Sequence, residues 1–325
     1  MIPRLPLAVT CGDPAGIGIE VFLAAHEEID QEIPIVWFGD SQHLPKGNSF
    51  TVWSPDKPRV LKPGLNLYQI NFKNLAVPGH ADPENAAGVI NAIKTATNFA
   101  REGKVAGLCT APINKKILKV GANFNFPGHT EYLASLCDVE NAVMMLTCPQ
   151  LRVVPLTIHI PICDVATNIT KKLFQTTVKT VCSSLIKDFN IKDPKISVAG
   201  LNPHASEGGT IGDDDVERIE PWIAQLRSTG ISIFGPNSAD TMFHSVARSE
   251  YDVAICMYHD QALIPLKTLD FYGGTNVTLG LPIVRTSPDH GTAFDIAGRG
   301  LANKKSMVEA IKTADSIIKA RYNAN

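Results

Sequence analysis

The chain has 325 residues, of which 44% are hydrophobic and 19% charged, and its formal net charge is −2. This composition supports one large or two mid-sized folded domains, and the weak net charge argues against nucleic acid or an anionic membrane as a partner. The seven cysteines are scattered without a CxxC pair, and no apolar run approaches the length of a membrane span. These features predict a cytoplasmic protein with reduced thiols.

Short apolar runs alternate with longer helical patterns along the chain. The runs are rich in Val, Ile and Leu and mostly do not alternate with polar residues, which is typical of a parallel sheet covered on both faces. They predict strands at residues 6–11, 34–39, 105–109, 142–147, 151–157, 195–201, 232–235 and 252–258. The longer patterns predict helices at residues 87–102, 165–187, 214–228 and 304–322. The alternation predicts an α/β fold with α/β/α layers and mostly parallel sheets.

Two finer features follow from the same patterns. In the helix at 165–187, one apolar stripe at helical spacing is predicted to face the core. Its members are Val178, Val181, Cys182, Leu185 and Ile186. Stretches 45–64 and 270–291 contain Pro and Gly and are predicted to be surface or site loops.

Histidines follow three of the predicted strands, where ligands bind in open α/β sheets. His159 comes after the run 151–157, His204 after 195–201, and His259 directly after 252–258. Three imidazoles with an open position suit a catalytic divalent metal such as Zn, Co or Mn. For each histidine taken alone, the cap of a turn or helix is the favoured interpretation, and the wide sequence spacing is no metal signature by itself.

Anion-binding candidates form a second group. Residues 127–133 indicate a glycine turn that opens a helix with Thr130 as its N-cap, and the start of a helix attracts phosphate. Lys267, Asn276 and Arg285 follow the third histidine, and Lys and Arg can together hold a phosphate or carboxylate. Ordinary helix capping and solvated surface charge are the alternative interpretations. Residues 12–20 predict a tight strand-to-helix turn, because their glycine spacing does not match GxGxxG.

Seven sequence motifs that follow one another along the chain are together specific for one protein family. They are GDPAGIGIE (12–20), TAPINK (110–115), GHTEYLA (128–134), LNPHASEGGTIGDDD (201–215), GPNSADTMF (235–243), YHDQALIPLKTLDF (258–271) and GLPIVRTSPDHGTAFDIAG (280–298). Together they resemble the 4-hydroxythreonine-4-phosphate dehydrogenase family of vitamin B6 biosynthesis along nearly the whole chain. The resemblance implies a homodimer of two-domain subunits with an isocitrate/isopropylmalate dehydrogenase-like fold.

The resemblance also implies roles for individual residues. His159, His204 and His259 match divalent-metal ligands (Zn, Mg, Co or Mn), with the site in the cleft and at the dimer interface. The matching substrate-binding positions are His129, Thr130, Lys267, Asn276 and Arg285. The matching candidates for proton transfer or ligand orientation are Lys267, Asp240 and Asp260.

Residues 289–298 are similar to the adenosine-binding loop of isopropylmalate dehydrogenase. The similarity implies that NAD contacts Asp289, His290, Gly291, Thr292 and Asp295. A carboxylate at Asp295 would repel a 2′-phosphate and so favours NAD over NADP. A helix cap is the alternative role for Asp295.

The implied reaction is the NAD-dependent oxidation of 4-phosphooxy-L-threonine with decarboxylation to 3-amino-2-oxopropyl phosphate. A dehydrogenase of a four-carbon sugar-acid phosphate or of an aromatic dihydrodiol stays open as an alternative, although residues 258–261 are more similar to the vitamin B6 enzyme. A non-catalytic phosphometabolite-binding protein and a phosphoacyltransferase are weaker alternatives. The predicted domain division places residues 1–128 and 304–325 in one domain and residues 129–303 in the other.

Overall fold

The structure is a computed structural model that describes residues 4–29 and 33–323. The strands have the following bounds: β1 Leu7–Thr10, β2 Ile35–Gly39, β3 Phe50–Val52, β4 Leu65–Gln69, β5 Gly107–Thr110, β6 Val143–Cys148, β7 Leu151–Thr157, β8 Ile196–Ala199, β9 Ile233–Asn237, β10 Val253–Tyr258, β11 Thr275–Leu279 and β12 Arg285–Pro288. The α-helices have these bounds: α1 Gly18–Ile29, α2 Ala86–Arg101, α3 Lys115–Ala122, α4 His129–Leu136, α5 Val165–Asn168, α6 Lys171–Phe189, α7 Glu220–Arg227, α8 Ser245–Arg248, α9 His259–Leu269 and α10 Lys305–Asn323.

The chain divides into two compact units. Unit 1 comprises Met1–Ala142 and Leu281–Lys319, and unit 2 comprises Val143–Gly280 and Ala320–Asn325. The sequence placed the boundaries at 128/129 and 303/304 instead. Residues 281–303 belong with unit 1 because β12 pairs with β5 and because Thr292 accepts a hydrogen bond from the Ile17 amide at 3.0 Å.

The sheet of unit 1 is entirely parallel, with strand order β3-β4-β2-β1-β5-β12. Its central strands are fully buried, which explains their unbroken apolar sequences. Asp40 follows β2 and accepts hydrogen bonds from the Phe72 amide at 2.8 Å and from the Gln42 amide at 3.0 Å. That buried carboxylate fixes the chain where it leaves the sheet.

The sheet of unit 2 is mixed, with strand order β11-β6-β7-β10-β8-β9. Strand β6 runs antiparallel to both β7 and β11, whereas β7, β10, β8 and β9 are parallel. One face of this sheet packs on α9 through Val153, Ala254, Ala262 and Leu266. The expected architecture, α/β with mostly parallel sheets, is confirmed.

All eight predicted strands are present within a few residues, but four further strands were not predicted. β3 lies in the stretch 45–64 that the sequence assigned to a loop, and β11 and β12 lie in 270–291. β3 has only three residues and lies at the edge of the sheet. Because Phe50 is exposed, the strand has no run of buried apolar residues that would have predicted it. β11 and β12 were not predicted because the Gly and Pro residues that flank them indicated a loop. The predicted helix at 165–187 is interrupted after α5, because Thr170 caps α6 by accepting a hydrogen bond from the Leu173 amide at 3.2 Å.

The apolar stripe of α6 is narrower than the sequence indicated. Val178, Val181 and Leu185 have 0% exposed surface, whereas Ile186 is 46% exposed. The core side of the helix therefore continues through Ser184 and Asp188. Among the residues that the structure describes, no helix is long and apolar enough to cross a membrane.

Adjacent residues of α6 give a matched test of this packing. We expect Leu185→Ala to lower the free energy of unfolding by about 3 kcal/mol, because it removes buried methyl groups and leaves a cavity. Ile186→Ala should cost less than about 1 kcal/mol, because this side chain is half exposed. Urea unfolding followed by circular dichroism measures both. Equal losses in the two variants would contradict the observed helix face.

Candidate active site

The three strands that precede the predicted metal-binding histidines are neighbours in unit 2. β10 lies between β7 and β8 and is parallel to both, with Tyr258 opposite Thr157 and Ile255 opposite Val198. Because parallel strands end at the same edge of a sheet, His159, His204 and His259 all follow strands at one edge. The predicted metal site requires these three strands to be neighbours. The sequence alone does not show the order of the strands in the sheet.

Two of the three rings meet at that edge. The ring centroids of His159 and His259 are 5.8 Å apart, and both side chains line a cavity of about 360 Å³. Asp260 lines the same cavity, and its Oδ1 lies 2.7 Å from Nδ1 of His259. This contact fixes the orientation of the His259 ring and leaves its Nε2 for another partner.

His204 occupies a different part of the edge. It lies exposed in the turn 203–209, which packs against Ala239–Thr241. The pKa of Asp240 is lowered mainly by the hydrogen bond from the Ser238 hydroxyl, and the charge of His204 lowers it further. Among the described residues, no three His, Cys, Asp or Glu side chains form a group that could hold a metal ion. One chain therefore brings together two of the three predicted imidazoles.

Helix α9 carries the next group of predicted residues. It begins at His259, and Lys267 follows two turns later on the same face. A shallow cavity next to that face is lined by Lys267 and Phe271 together with His259 and Asp260. The ammonium group of Lys267 lies 5.3 Å from the centre of the Phe271 ring, in a cation–π contact.

Arg285 lies in β12 of unit 1 and is only 3% exposed. Its Nη2 and Nε donate to Oγ1 of Thr110 at 2.7 and 3.2 Å. Burial lowers the pKa of Arg285 to about 10, although it remains protonated at neutral pH. An anionic ligand would stabilise a guanidinium that is buried in this way.

His129 belongs to the same unit and lies within the electrostatic reach of Arg285. Burial lowers the pKa of His129 well below its usual value, and the charges of Arg285 and Lys115 lower it further. The ring is therefore neutral at physiological pH, and its buried Nε2 has no hydrogen-bond partner among the described residues. The predicted cap was wrong: α4 begins at His129 after Gly128, so that Thr130 is a residue of the first turn.

Asn276 lies in β11 of unit 2, opposite Leu146. Its Oδ1 is buried and accepts no hydrogen bond within the described part of the chain. A buried amide oxygen without a donor costs free energy, so a ligand donor at this position would be stabilising. Of the five predicted substrate positions, Asn276 and Lys267 belong to unit 2, and the other three belong to unit 1.

The predicted NAD-binding residues form a loop that is fixed at several points in unit 1. The Asp289 amide donates to the Ser306 hydroxyl at 2.9 Å, and Nδ1 of His290 lies 3.0 Å from the Gly291 oxygen. Thr292 packs so closely on Gly16 that a Cβ there would lie 2.8 Å from the Thr292 oxygen. Asp295 is exposed. The 12–20 turn thus supports the 289–298 loop.

Three supporting residues were not predicted from the sequence. Thr110 and Lys115 lie within the TAPINK motif, whose residues had no predicted role. Gln261 accepts a hydrogen bond from the Met257 amide at 2.6 Å and donates to the Gly200 oxygen at 2.8 Å. It thereby connects the start of α9 with the segment that leaves β8.

Comparison with known proteins assigns these features to a family. The model of the family described as "Pyridoxal phosphate biosynthetic protein PdxA" matches residues 30–314. The 4-hydroxythreonine-4-phosphate dehydrogenase of Roseobacter denitrificans is 51% identical over 312 residues, covering 95% of this chain and 96% of its own. A crystal structure of the Klebsiella pneumoniae enzyme of the same name has a TM-score of 0.88 at 35% identity, covering 97% of this chain and 100% of its own.

A more distant structure shares the fold alone. The β-decarboxylating dehydrogenase of Thermococcus kodakarensis is 12% identical with a TM-score of 0.50, covering 98% of this chain and 83% of its own. This likeness agrees with the fold expected from the sequence. The family match and the full-length relatives determine the assignment: the chain belongs to the PdxA family of pyridoxal phosphate biosynthetic proteins.

Proposed function

We propose that this protein oxidises 4-phosphooxy-L-threonine with NAD and releases CO2 to give 3-amino-2-oxopropyl phosphate, in pyridoxal 5′-phosphate biosynthesis. The observation that carries the proposal is the pair of imidazoles, His159 and His259, at neighbouring strand ends in a chain of the PdxA family. Membership of the family indicates the class of reaction. The proposed site residues account for metal binding, substrate binding and proton transfer.

The donor set fits a divalent metal ion. Two imidazoles 5.8 Å apart between ring centres are suitable ligands, and Asp260 orients one of them. A bound metal would supply Lewis-acid stabilisation of negative charge on the substrate oxygen. His159, His204 and His259 are the proposed ligands.

A homodimer would complete this ligand set. The described residues of one chain gather two of the three imidazoles, so we assign completion of the set to the pairing of two copies. Exposed apolar side chains near the histidines support such an interface, since Ile162 is 69% and Ile264 is 64% exposed.

The phosphate of the substrate is assigned to His129, Thr130 and Arg285, with Lys267 and Asn276 completing the substrate contacts. Arg285 has a fixed direction because Thr110 holds two of its nitrogens. His129 is neutral, so its ring donates a hydrogen bond to a phosphate oxygen without adding charge. Asn276 supplies a buried acceptor for a hydroxyl or ammonium group.

Proton transfer is assigned to Lys267. Asp260 is engaged with Nδ1 of His259, and Asp240 is held ionised by Ser238 and His204, so both carboxylates orient other groups. Of the three candidates predicted for proton transfer, this leaves Lys267 as the proton donor. Lys267 and His259 line the same cavity. We assign to its ammonium the proton that the substrate carbon receives after CO2 leaves.

NAD is assigned to residues Asp289, His290, Gly291, Thr292 and Asp295. NAD when bound would accept the hydride. The loop is held to the first strand-to-helix turn through Ile17 and Thr292, so it is preorganised. The exposed carboxylate of Asp295 would accept hydrogen bonds from ribose hydroxyls and repel a 2′-phosphate.

A substrate panel tests the proposal directly. We expect NADH formation with 4-phosphooxy-L-threonine in the presence of NAD and a divalent metal. The 4-phosphates of erythronate and threonate should react at least about 100-fold more slowly, because they lack the amino group. Faster turnover of either sugar-acid phosphate would contradict the substrate assignment, and no NADH with any of the three would contradict the dehydrogenase assignment.

The metal ligands are testable without turnover. His159→Ala and His259→Ala should each lower the affinity for Co²⁺ or Zn²⁺ by at least about tenfold, because each removes a direct ligand. His80→Ala, at an exposed histidine of unit 1, is the control and should bind metal like the parent. Isothermal titration with the metal alone measures the affinity. Unchanged metal binding in both site variants would refute the assignment.

The phosphate assignment predicts a specific effect at Arg285. Arg285→Lys keeps the charge but loses the two-nitrogen contact with Thr110, so we expect KM for the phosphorylated substrate to rise about 10–100-fold. Arg299→Lys, at an exposed arginine, should leave KM unchanged. Steady-state kinetics measures both variants. Equal KM values would mean that the phosphate binds elsewhere.

The pKa of His129 predicts a pH effect on stability. An unfolded histidine titrates near pH 6.5 and the folded one titrates well below, so neutral His129 contributes stability above about pH 6.5 that is lost as the pH falls. The loss from this group approaches about 1.4 kcal/mol per pH unit. Urea unfolding at pH 7.5 and 5.5 should show a smaller decrease in His129→Gln than in the parent. An identical decrease would show that His129 does not contribute.

A further inference from the structure

The turn that carries His204 has an unusual backbone. Five consecutive residues, from His204 to Gly208, have φ between 42° and 67°. Four of the five are not glycine, and left-handed backbone is unfavourable for an L-residue that carries a Cβ. Such a conformation persists only when the surroundings determine it, and it concentrates at functional sites.

The carboxylate of Asp215 holds this turn through three hydrogen bonds. Asp215 has 0% exposed surface and lies at the start of a π-helical segment, Asp215–Ile219. Its Oδ1 accepts a hydrogen bond from the Leu201 amide at 2.7 Å. Its Oδ2 accepts from the Asn202 amide at 3.0 Å and from the Ser206 hydroxyl at 2.8 Å. The three donors lie on both sides of His204, so one buried group fixes the entry and the middle of the turn.

A second contact strengthens this arrangement. The side-chain amide of Asn202 donates to the Ser206 hydroxyl at 3.1 Å, and that hydroxyl in turn donates to Asp215. Ser206 has 0% exposed surface although its φ is 65°. Hydrogen bonds to a buried carboxylate are stronger than neutral ones, so they offset the backbone cost.

We propose that Asp215 is a positioning residue of the metal site, which holds the left-handed turn so that His204 is presented as a ligand. The inference rests on the proposed function, in which His204 binds the divalent metal. Asp215 does not contact the metal or the substrate. It acts through Leu201, Asn202 and Ser206, and no part of the sequence motif distinguished it from Asp213 and Asp214.

The test uses the full-length protein and Co²⁺ alone, without NAD or substrate. Asp215→Asn keeps the shape but places an amide donor against groups that already donate. Because supporting partners of metal ligands change affinity by about 10–100-fold, we expect a loss of that size for Co²⁺. The visible absorption of bound Co²⁺ should change in the same direction as in His204→Ala.

Asp188→Asn is the matched control. Asp188 is a second buried carboxylate of unit 2, 4% exposed, and accepts from Nε and Nη2 of Arg321 at 2.7 and 3.1 Å. This variant should lower the thermal midpoint like Asp215→Asn but leave the Co²⁺ affinity and spectrum unchanged. Loss of Co²⁺ binding in the control as well would overturn the inference, because general destabilisation would then explain both.

A double variant separates stability from positioning. Ala205 has φ 51°, so Ala205→Gly in the Asp215→Asn background should raise the thermal midpoint by relieving backbone strain. It should not restore Co²⁺ affinity, because glycine does not replace the hydrogen bonds that direct His204. Recovery of affinity together with stability would overturn the positioning role.

Ser206→Ala keeps the inference testable if Asp215→Asn does not fold. It removes one of the three hydrogen bonds to Asp215, together with the hydrogen bond that Asn202 donates to Ser206. It should cause a smaller loss of Co²⁺ affinity with the same spectral change. Parent-like Co²⁺ binding in the folded variant would overturn the role of Asp215. Parent-like binding in His204→Ala would instead refute the metal assignment, and the inference with it.

Discussion

The parallel pairing of β7, β10 and β8 is the constraint on which the proposed site depends. With Tyr258 in register with Thr157, the segment after β7 and the start of α9 are adjacent, and this places His159 and His259 close together. Backbone hydrogen bonds between buried strands fix this relation, because a slip by one residue would turn each side chain to the other face. The positions of these two proposed metal ligands therefore depend on sheet register before any side-chain contact.

The third histidine depends on a different kind of constraint. His204 does not follow its strand directly but lies five residues beyond Ala199, in a backbone conformation that most residues avoid. Its position requires a local anchor, and the buried carboxylate of Asp215 is that anchor. Sheet register places His159 and His259, although His159 also has left-handed backbone with φ 53°. His204, the third proposed ligand, depends in addition on the contacts of its turn with Asp215.

These differences explain what the sequence could predict. The alternation of apolar runs predicted the α/β class and eight strands. Seven of them are mostly buried, which leaves a strong hydrophobic signal, whereas β9 is only partly buried. Strand β3 escaped prediction because a three-residue edge strand with exposed Phe50 has no such signal. Motif resemblance identified residues such as Arg285 and His204 but not Thr110 or Asp215, whose roles appear only when distant segments are brought into hydrogen-bond distance.

The burial of Arg285 in unit 1 bears on the proposed choice of substrate. Arg285 is almost fully buried, and desolvation of its charge is unfavourable. Nearby His129 is kept neutral by its own burial and by the charge of Arg285 and Lys115, so the repulsion between cations is not increased further. In the proposed function, a dianionic phosphate would offset this desolvation cost, whereas an uncharged analogue would not. The proposed preference for a phosphorylated substrate would therefore depend on the burial of Arg285.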